Sequence, residues 1–153
     1  MAETKQDNII FIEGKERGLK QLFSQDIGSF GYLALGSNPD GDTNGFINID
    51  DEDETSTNGF YEISIENDST YQRVPLVFQE SIKNYDNGEV TVKFAAEFDI
   101  DNIISGATIN QLAIVDSETP NDPSTNFYAA AVCDGDFVKT EKLALVFIIE
   151  MTI

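Results

Sequence analysis

Between Val74 and Phe98 the chain sets two apolar-alternating runs on either side of Asn84-Tyr-Asp-Asn-Gly88. The second run places Val90, Val92, Phe94, Ala96 and Phe98 at every second position. Strict alternation means extended chain with one buried face, because successive side chains on a strand point to opposite sides. Asn87-Gly88 between two such runs signals a hairpin, since both residue types tolerate the positive φ of a tight turn. Pro75 has no N–H for a ladder, so the strand that carries it must be an edge or hold a bulge.

The same periodicity recurs along the chain. Ile9-Ile-Phe-Ile12 reads as a short strand. Glu13 to Gln25 carries Leu19, Leu22 and Phe23 at helical spacing and predicts one short helix. Phe30 to Leu35 is a strand that stops at Gly36, and Gly59 to Glu66 alternates around Tyr61, Ile63 and Ile65. Thr108 to Val115 is a further strand, followed by the turn-rich stretch from Ser117 to Ser124. Phe127 to Cys133 follows, with Asp134-Gly135 marking a turn. In the last run Leu143, Leu145, Phe147, Ile149, Met151 and Ile153 share one face, while Ala144, Val146 and Ile148 make the other face apolar too. Such a strand belongs in the middle of a sheet or under another subunit. The expected fold is mainly β, an antiparallel β-sandwich with one short N-terminal helix and a long acidic loop. It forms a single domain over 1–153, with 37–58 as a loop or insertion inside it, and no internal repeat is visible.

At 153 residues, 41% of them apolar, the chain can bury roughly 68–70% of its unfolded surface and needs no covalent staple. Its formal charge of −19 repels phosphate backbones and anionic bilayers, so neither nucleic acid nor membrane is an expected partner. The same charge keeps the protein soluble and steers it toward basic surfaces. There is no His and a single Cys. Ser-His-Asp, Cys-His and His-zinc sites are therefore excluded, and Cys133, among Tyr128-Ala-Ala-Ala-Val, reads as a small core side chain. The N-terminus lacks the apolar run of a signal peptide, and no segment reaches the ~20 apolar residues that span a bilayer. Synthesis in a cytoplasm is expected.

From Ser37 to Asn58 the chain is mostly Asp, Asn, Gly, Ser and Thr, with only Phe46, Ile47 and Ile49 as apolar relief. It includes five consecutive acids from Asp50 to Glu54. Like charges packed this closely hold a loop open and solvated. Within it, Asp40-Gly-Asp-Thr-Asn-Gly-Phe-Ile-Asn-Ile-Asp-Asp51 has the order of an EF-hand calcium loop. The oxygen ligands would be Asp40, Asp42, Asn44, the Phe46 carbonyl, Asn48 directly or through water, and Asp51, with Gly45 at the sharp turn. Dockerin modules carry a similar loop ending in Asp. Against the EF-hand itself, Asn38-Pro39 is a turn rather than the end of a helix, no helix obviously follows Asp51, and no second loop is present to pair with. No cofactor is expected, and calcium is the one ion for which the sequence offers a ligand set.

Three segments carry a resemblance: Tyr32-Leu-Ala-Leu-Gly36, Tyr71-Gln-Arg-Val-Pro75, and Gly106-Ala-Thr-Ile-Asn-Gln-Leu-Ala-Ile-Val-Asp116 with Lys139-Thr140 and the terminal apolar strand behind it. Their order and spacing resemble small structural domains of tailed-bacteriophage virions, found in tail-fibre, baseplate and head-associated proteins. The resemblance runs over about residues 14 to 153. It departs from the family pattern at Gln111-Leu-Ala113, where Glu and then Gly are usual. It implies structural roles: Gly36 and Gly106 where the backbone needs positive φ or close approach, Arg73 paired with an acid such as Glu97 or Asp116, and a closing apolar strand. Gly88, in the hairpin, is a further framework glycine.

Catalysis has little to stand on. Glu97 and Asp99 are two acids on one face of an alternating strand, there is no phosphate-binding glycine loop, and no nucleophile lies near a base. The expected function is that of a non-enzymatic structural protein of a phage particle. It would assemble in symmetric copies on a tail, baseplate, fibre or capsid with other virion proteins as partners. The alternative is a calcium-dependent module that recognises carbohydrate or protein; the absence of Trp argues against sugar binding.

Overall fold

The computed structural model describes residues 4–6, 8–10, 14, 31–37, 46–48, 59–66, 70–99, 108–138 and 144–152. These form ten strands: β1 (Thr4–Gln6), β2 (Asn8–Ile10), β3 (Tyr32–Gly36), β4 (Phe46–Asn48), β5 (Val74–Pro75), β6 (Val77–Asn84), β7 (Glu89–Phe98), β8 (Thr108–Val115), β9 (Phe127–Val138) and β10 (Leu145–Thr152). The fold is mainly β, and every strand pair is antiparallel. A five-stranded sheet has the order β2-β9-β8-β3-β5 and a three-stranded sheet the order β10-β7-β6, while among the described residues β1 pairs with β4 alone. The helix expected over Glu13–Gln25 lies outside the described residues, Gly14 excepted. So does the greater part of the acidic loop, in which β4 is a short strand rather than loop.

The run from Val74 to Ile82 is not one strand. Val74 and Pro75 pair with Leu33 and Tyr32 at the edge of the five-stranded sheet, the position that suits a proline. Leu76, whose N–H still donates to Gly31 O at 2.8 Å, is the only residue before the chain enters β6 in the other sheet. The hairpin of β6 and β7 forms as its alternation demands, but its turn differs from a two-residue one. Four residues, Tyr85 to Gly88, link the paired Asn84 and Glu89, and Gly88 alone takes positive φ (66°). The Asn84 side chain accepts from the N–H groups of Asp86 and Asn87, which organises the loop locally.

Asp134-Gly135 does not reverse the chain. The pair lies inside β9, where Ile109 faces Phe137 and Gln111 faces Val132, so the ladder slips between those two positions. A Gly-containing breaker therefore produced an irregularity within a long strand and not a reversal. Cys133, beside it, is buried as its apolar neighbourhood predicts.

Side chains from both larger sheets meet in one buried cluster. Leu33, Leu35, Val74 and Ile114 come from the five-stranded sheet, and Ala96 and Phe98 from β7, with Leu145, Phe147, Ile149 and Met151 of β10 packed against them. Phe98 and Phe147 meet edge-on, with ring centroids 6.0 Å apart. The opposite face of the five-stranded sheet carries a smaller cluster of Ala34, Phe60, Ala113, Val115 and Ala130.

The two-faced terminal strand does not lie in the middle of a sheet. Among the described residues β10 is paired on one side only, with β7. Its inward row is half-buried, and Val146 and Ile148 on its other face are each 57% exposed. Flatness and apolarity made a central position plausible. The register shows instead that the outward row faces away from the second sheet.

Candidate functional site

Where β3 outruns β5, its edge is closed by a buried polar cluster. Tyr71 and Arg73, two apart in extended chain just before β5, point the same way, toward Glu62. The Arg73 guanidinium meets the Glu62 carboxylate twice, Nε to Oε2 and Nη2 to Oε1, each at 2.7 Å. Its Nη1 donates to Ser117 O at 2.8 Å and to Thr125 Oγ1 at 3.0 Å. The Tyr71 hydroxyl donates to Glu62 Oε2 at 2.6 Å and accepts from the Leu35 N–H at 3.1 Å, standing where a neighbouring strand's carbonyl would. Asn121 N completes the set on Glu62 Oε1 at 3.0 Å.

Asn121 holds the left-handed backbone region (φ 58°), which Asn tolerates better than most residues. Its side chain binds both ways to the neighbouring segment, donating to Ile63 O and accepting from Ile65 N, each at 2.9 Å. Asp122 supports the same turn by accepting from Ser124 N and Oγ and from Ser117 Oγ. Those Ser124 bonds hold its carboxyl below the ordinary range.

The electrostatics follow from burial and pairing. Burial alone would raise the Glu62 carboxyl, but the Arg73 and Tyr71 hydrogen bonds and the guanidinium charge outweigh it and leave it below the ordinary value. Burial opposes the charge on Arg73, and Glu62 more than offsets that. The Tyr71 phenol is driven far up, by burial first and then by the negative charge of Glu62. With Arg73 1% exposed and Glu62 9% exposed at their side chains, this is a closed pair. A carboxylate that already receives four donors is a fixed counter-charge, suited to fastening the 59–66 and 117–125 segments to β3.

Arg73 thus pairs with Glu62, and not with Glu97 or Asp116 as expected. Glu97 is exposed on β7, and Asp116 accepts from Asn126 through both carboxylate oxygens, at 2.9 Å each. Glu62 escaped the sequence reading because Gly59–Glu66 alternates around Tyr61, Ile63 and Ile65, which suggests those as the inward row. Of that row only Ile63 packs against the core: Phe60 is fully buried and Glu62 points inward, while Tyr61 and Ile65 are exposed. The Tyr71-x-Arg73 spacing was the available clue, since two polar groups on one face of an otherwise apolar strand need a shared partner.

Gly36 is required for close approach and not for positive φ. A Cβ there would stand 2.8 Å from Phe60 Cε2, 2.9 Å from Gln111 Oε1 and 2.9 Å from Tyr61 O. Gln111, where the resembled pattern has Glu, uses its whole amide: Nε2 donates to Gly59 O and Oε1 accepts from Tyr61 N, both at 2.8 Å. Gly106, Asp40, Asp42, Asn44 and Asp51 lie outside the described residues. Phe46 and Asn48, the remaining members of the expected calcium loop, are in β4 and pair with Gln6 and Thr4. No protein-family model, no curated protein and no solved structure matches this chain.

The second feature is a surface. On the outward face of the three-stranded sheet the register aligns Ile148, Ala95 and Val77 across all three strands, with Val146 beside them. The next row is charged: Lys93 bridges Glu150 at 3.2 Å and Glu80 at 3.3 Å. Val77, Val146 and Ile148 are each more than half exposed. Every residue of β6 is exposed on both faces, including Phe78 at 57%, whose ring contacts Phe94 edge-on.

Proposed function

We propose that this chain is a non-enzymatic structural protein that assembles in symmetric copies. Its framework segments resemble phage virion domains, and the assembly belongs on this reading to a phage particle, at the tail, baseplate, fibre or capsid. We also read the two larger sheets as layers of one antiparallel β-sandwich, a reading supported by the core cluster that joins Leu33 and Leu35 to Ala96 and Phe98.

The observation that carries the assembly reading is the Ile148–Ala95–Val77 row with Val146. Isolated exposed apolar residues are ordinary on a monomer, whereas a row contiguous across three strands marks a surface that another protein covers. The strand beneath it has one charge in eight residues and no Pro, so its edge lacks the devices that keep solitary edges unpaired. Copies that each carry −19 repel one another, and salt screens that repulsion over about 8 Å at physiological strength. Size-exclusion chromatography with light scattering, at rising protein and salt concentration, should show a trimer or larger species that salt strengthens. A monomer at every concentration would overturn the reading.

A further inference from the structure

Resting on that assembly reading, we infer that copies join head to tail, the β6 edge of one entering the cleft beside β10 of the next. The two larger sheets are stacked out of step. At one side the chain passes from β5 to β6 through Leu76 alone, β7 packs over β5, and β6 overhangs with both its faces in solvent. At the other side the offset is reversed. There, among the described residues, β10 ends the three-stranded sheet, while the five-stranded sheet carries on through β9 and β2.

Beside β10 lies an apolar cleft of about 480 Å³ that no described strand covers. Its floor is Leu112, Ile114, Ala129, Ala131 and Ile10, and its wall is the edge of β10 from Ile148 to Thr152. One strand laid against β10, about 4.8 Å away in the ladder direction, would lie over this floor and send alternate side chains into it.

The occupant is a second copy because the chain carries the matching piece at the opposite edge of the same sheet. The inward row of β6 begins with Phe78, an aromatic ring supported from its own molecule by Phe94 and otherwise in water. A cleft that lacks a strand over two-layer floor and a strand that lacks a floor are the two halves of one repeat. Because β6 and β10 both run antiparallel to β7, they share a direction, and the joint between copies related by rotation is a parallel pair. Continuing the sheet this way also extends the Ile148–Ala95–Val77 row from copy to copy. Such a contact is heterologous: it closes into a ring when the rotation allows and otherwise grows a filament.

A mixing experiment tests it. Phe78→Lys spoils the entering edge and Ile148→Lys spoils the receiving one; both residues are more than half exposed, so each variant should fold, checked by circular dichroism against wild type. Each variant alone should lose every species above the monomer. Mixed together they should give a 1:1 heterodimer and nothing larger by native mass spectrometry, because one partner keeps a working β10 and the other a working β6. Val77→Lys with Thr152→Lys, exposed positions on the same two edges, repeats the test. Wild type that oligomerises while Phe78→Lys still dimerises, or while the mixture stays monomeric, overturns this joint and leaves the assembly reading in place. A monomeric wild type overturns both.

Discussion

Replacing Glu62 by Gln keeps the shape of the side chain and removes one charge. The magnitude follows from what is left behind. The Arg73 side chain is 1% exposed, so its guanidinium cannot rehydrate in place. Glu62 receives four donors, from Arg73 Nε, Arg73 Nη2, the Tyr71 hydroxyl and Asn121 N. An amide has a single oxygen, and its NH2 group would face donors on the other side. Removing one partner of a buried pair costs about 3–5 kcal/mol, against a total of about 5–15 kcal/mol for a typical domain. At about 2–4 °C per kcal/mol for a chain of this length, the melting temperature should fall by on the order of 10 °C. Urea unfolding followed by far-UV circular dichroism measures the loss directly. Glu62→Leu combined with Arg73→Met leaves no unpaired charge and should cost less than Glu62→Gln alone. A Gln variant that loses under about 1 kcal/mol, the range of an exposed pair, would refute the reasoning. So would a double variant whose cost equals the sum of its two single substitutions.

The Glu62 contribution also carries a pH signature. Its folded value is lowered, so the stabilisation is full above the unfolded value of about 4.3 and is lost as pH falls through the folded one. The stability gap between wild type and Glu62→Gln should therefore shrink on acidification below about pH 4.3, and a gap that stays constant contradicts the assignment. The two described framework glycines should respond differently to Ala. At Gly36 the new methyl meets Phe60, Gln111 and the Tyr61 carbonyl, and thermal melting should report a loss of about 1–3 kcal/mol. At Gly88 nothing lies within 4 Å, so the loss is confined to left-handed backbone strain, about 1–2 kcal/mol; relief by Asn in place of Ala is expected there and not at Gly36.

Period-two alternation carried the strand content, and it located β3, the β6–β7 hairpin, β8 and β10 to within a few residues. It failed where polar partners decide which face turns inward. Phe60 and Glu62 took the inner positions because a buried guanidinium and a phenol were waiting for a carboxylate, and no local pattern expresses that demand. Asp134-Gly135 misled for a related reason. A turn signal states where the chain can bend, and the Thr108–Val138 pairing beyond it kept the strand going. Arg73 was legible as a residue needing an acid, but the alternation of Gly59–Glu66 set Glu62 on the outer face of an expected strand, whereas that segment is no strand and is held to Gly36 of β3 by an isolated bridge. The apolar second face of β10 was legible in full. What the sequence could not express was which elements lie on either side of β10: among the described residues only β7 pairs with it, and its Val146–Ile148 face is exposed.

The order of strands in the smaller sheet has a consequence for when this protein can act. β6 and β7 are joined by a short loop, but β10 reaches β7 only after β8 and β9 have intervened. Contacts so distant in sequence carry a loop-closure penalty and tend to form late. Until then the smaller sheet is a two-stranded hairpin, a unit of marginal stability in water. The receiving edge is therefore created by the last strand to dock. On the proposed joint, a newly made chain would pass through its most exposed stages without that edge and would become competent to join a second copy only once folded.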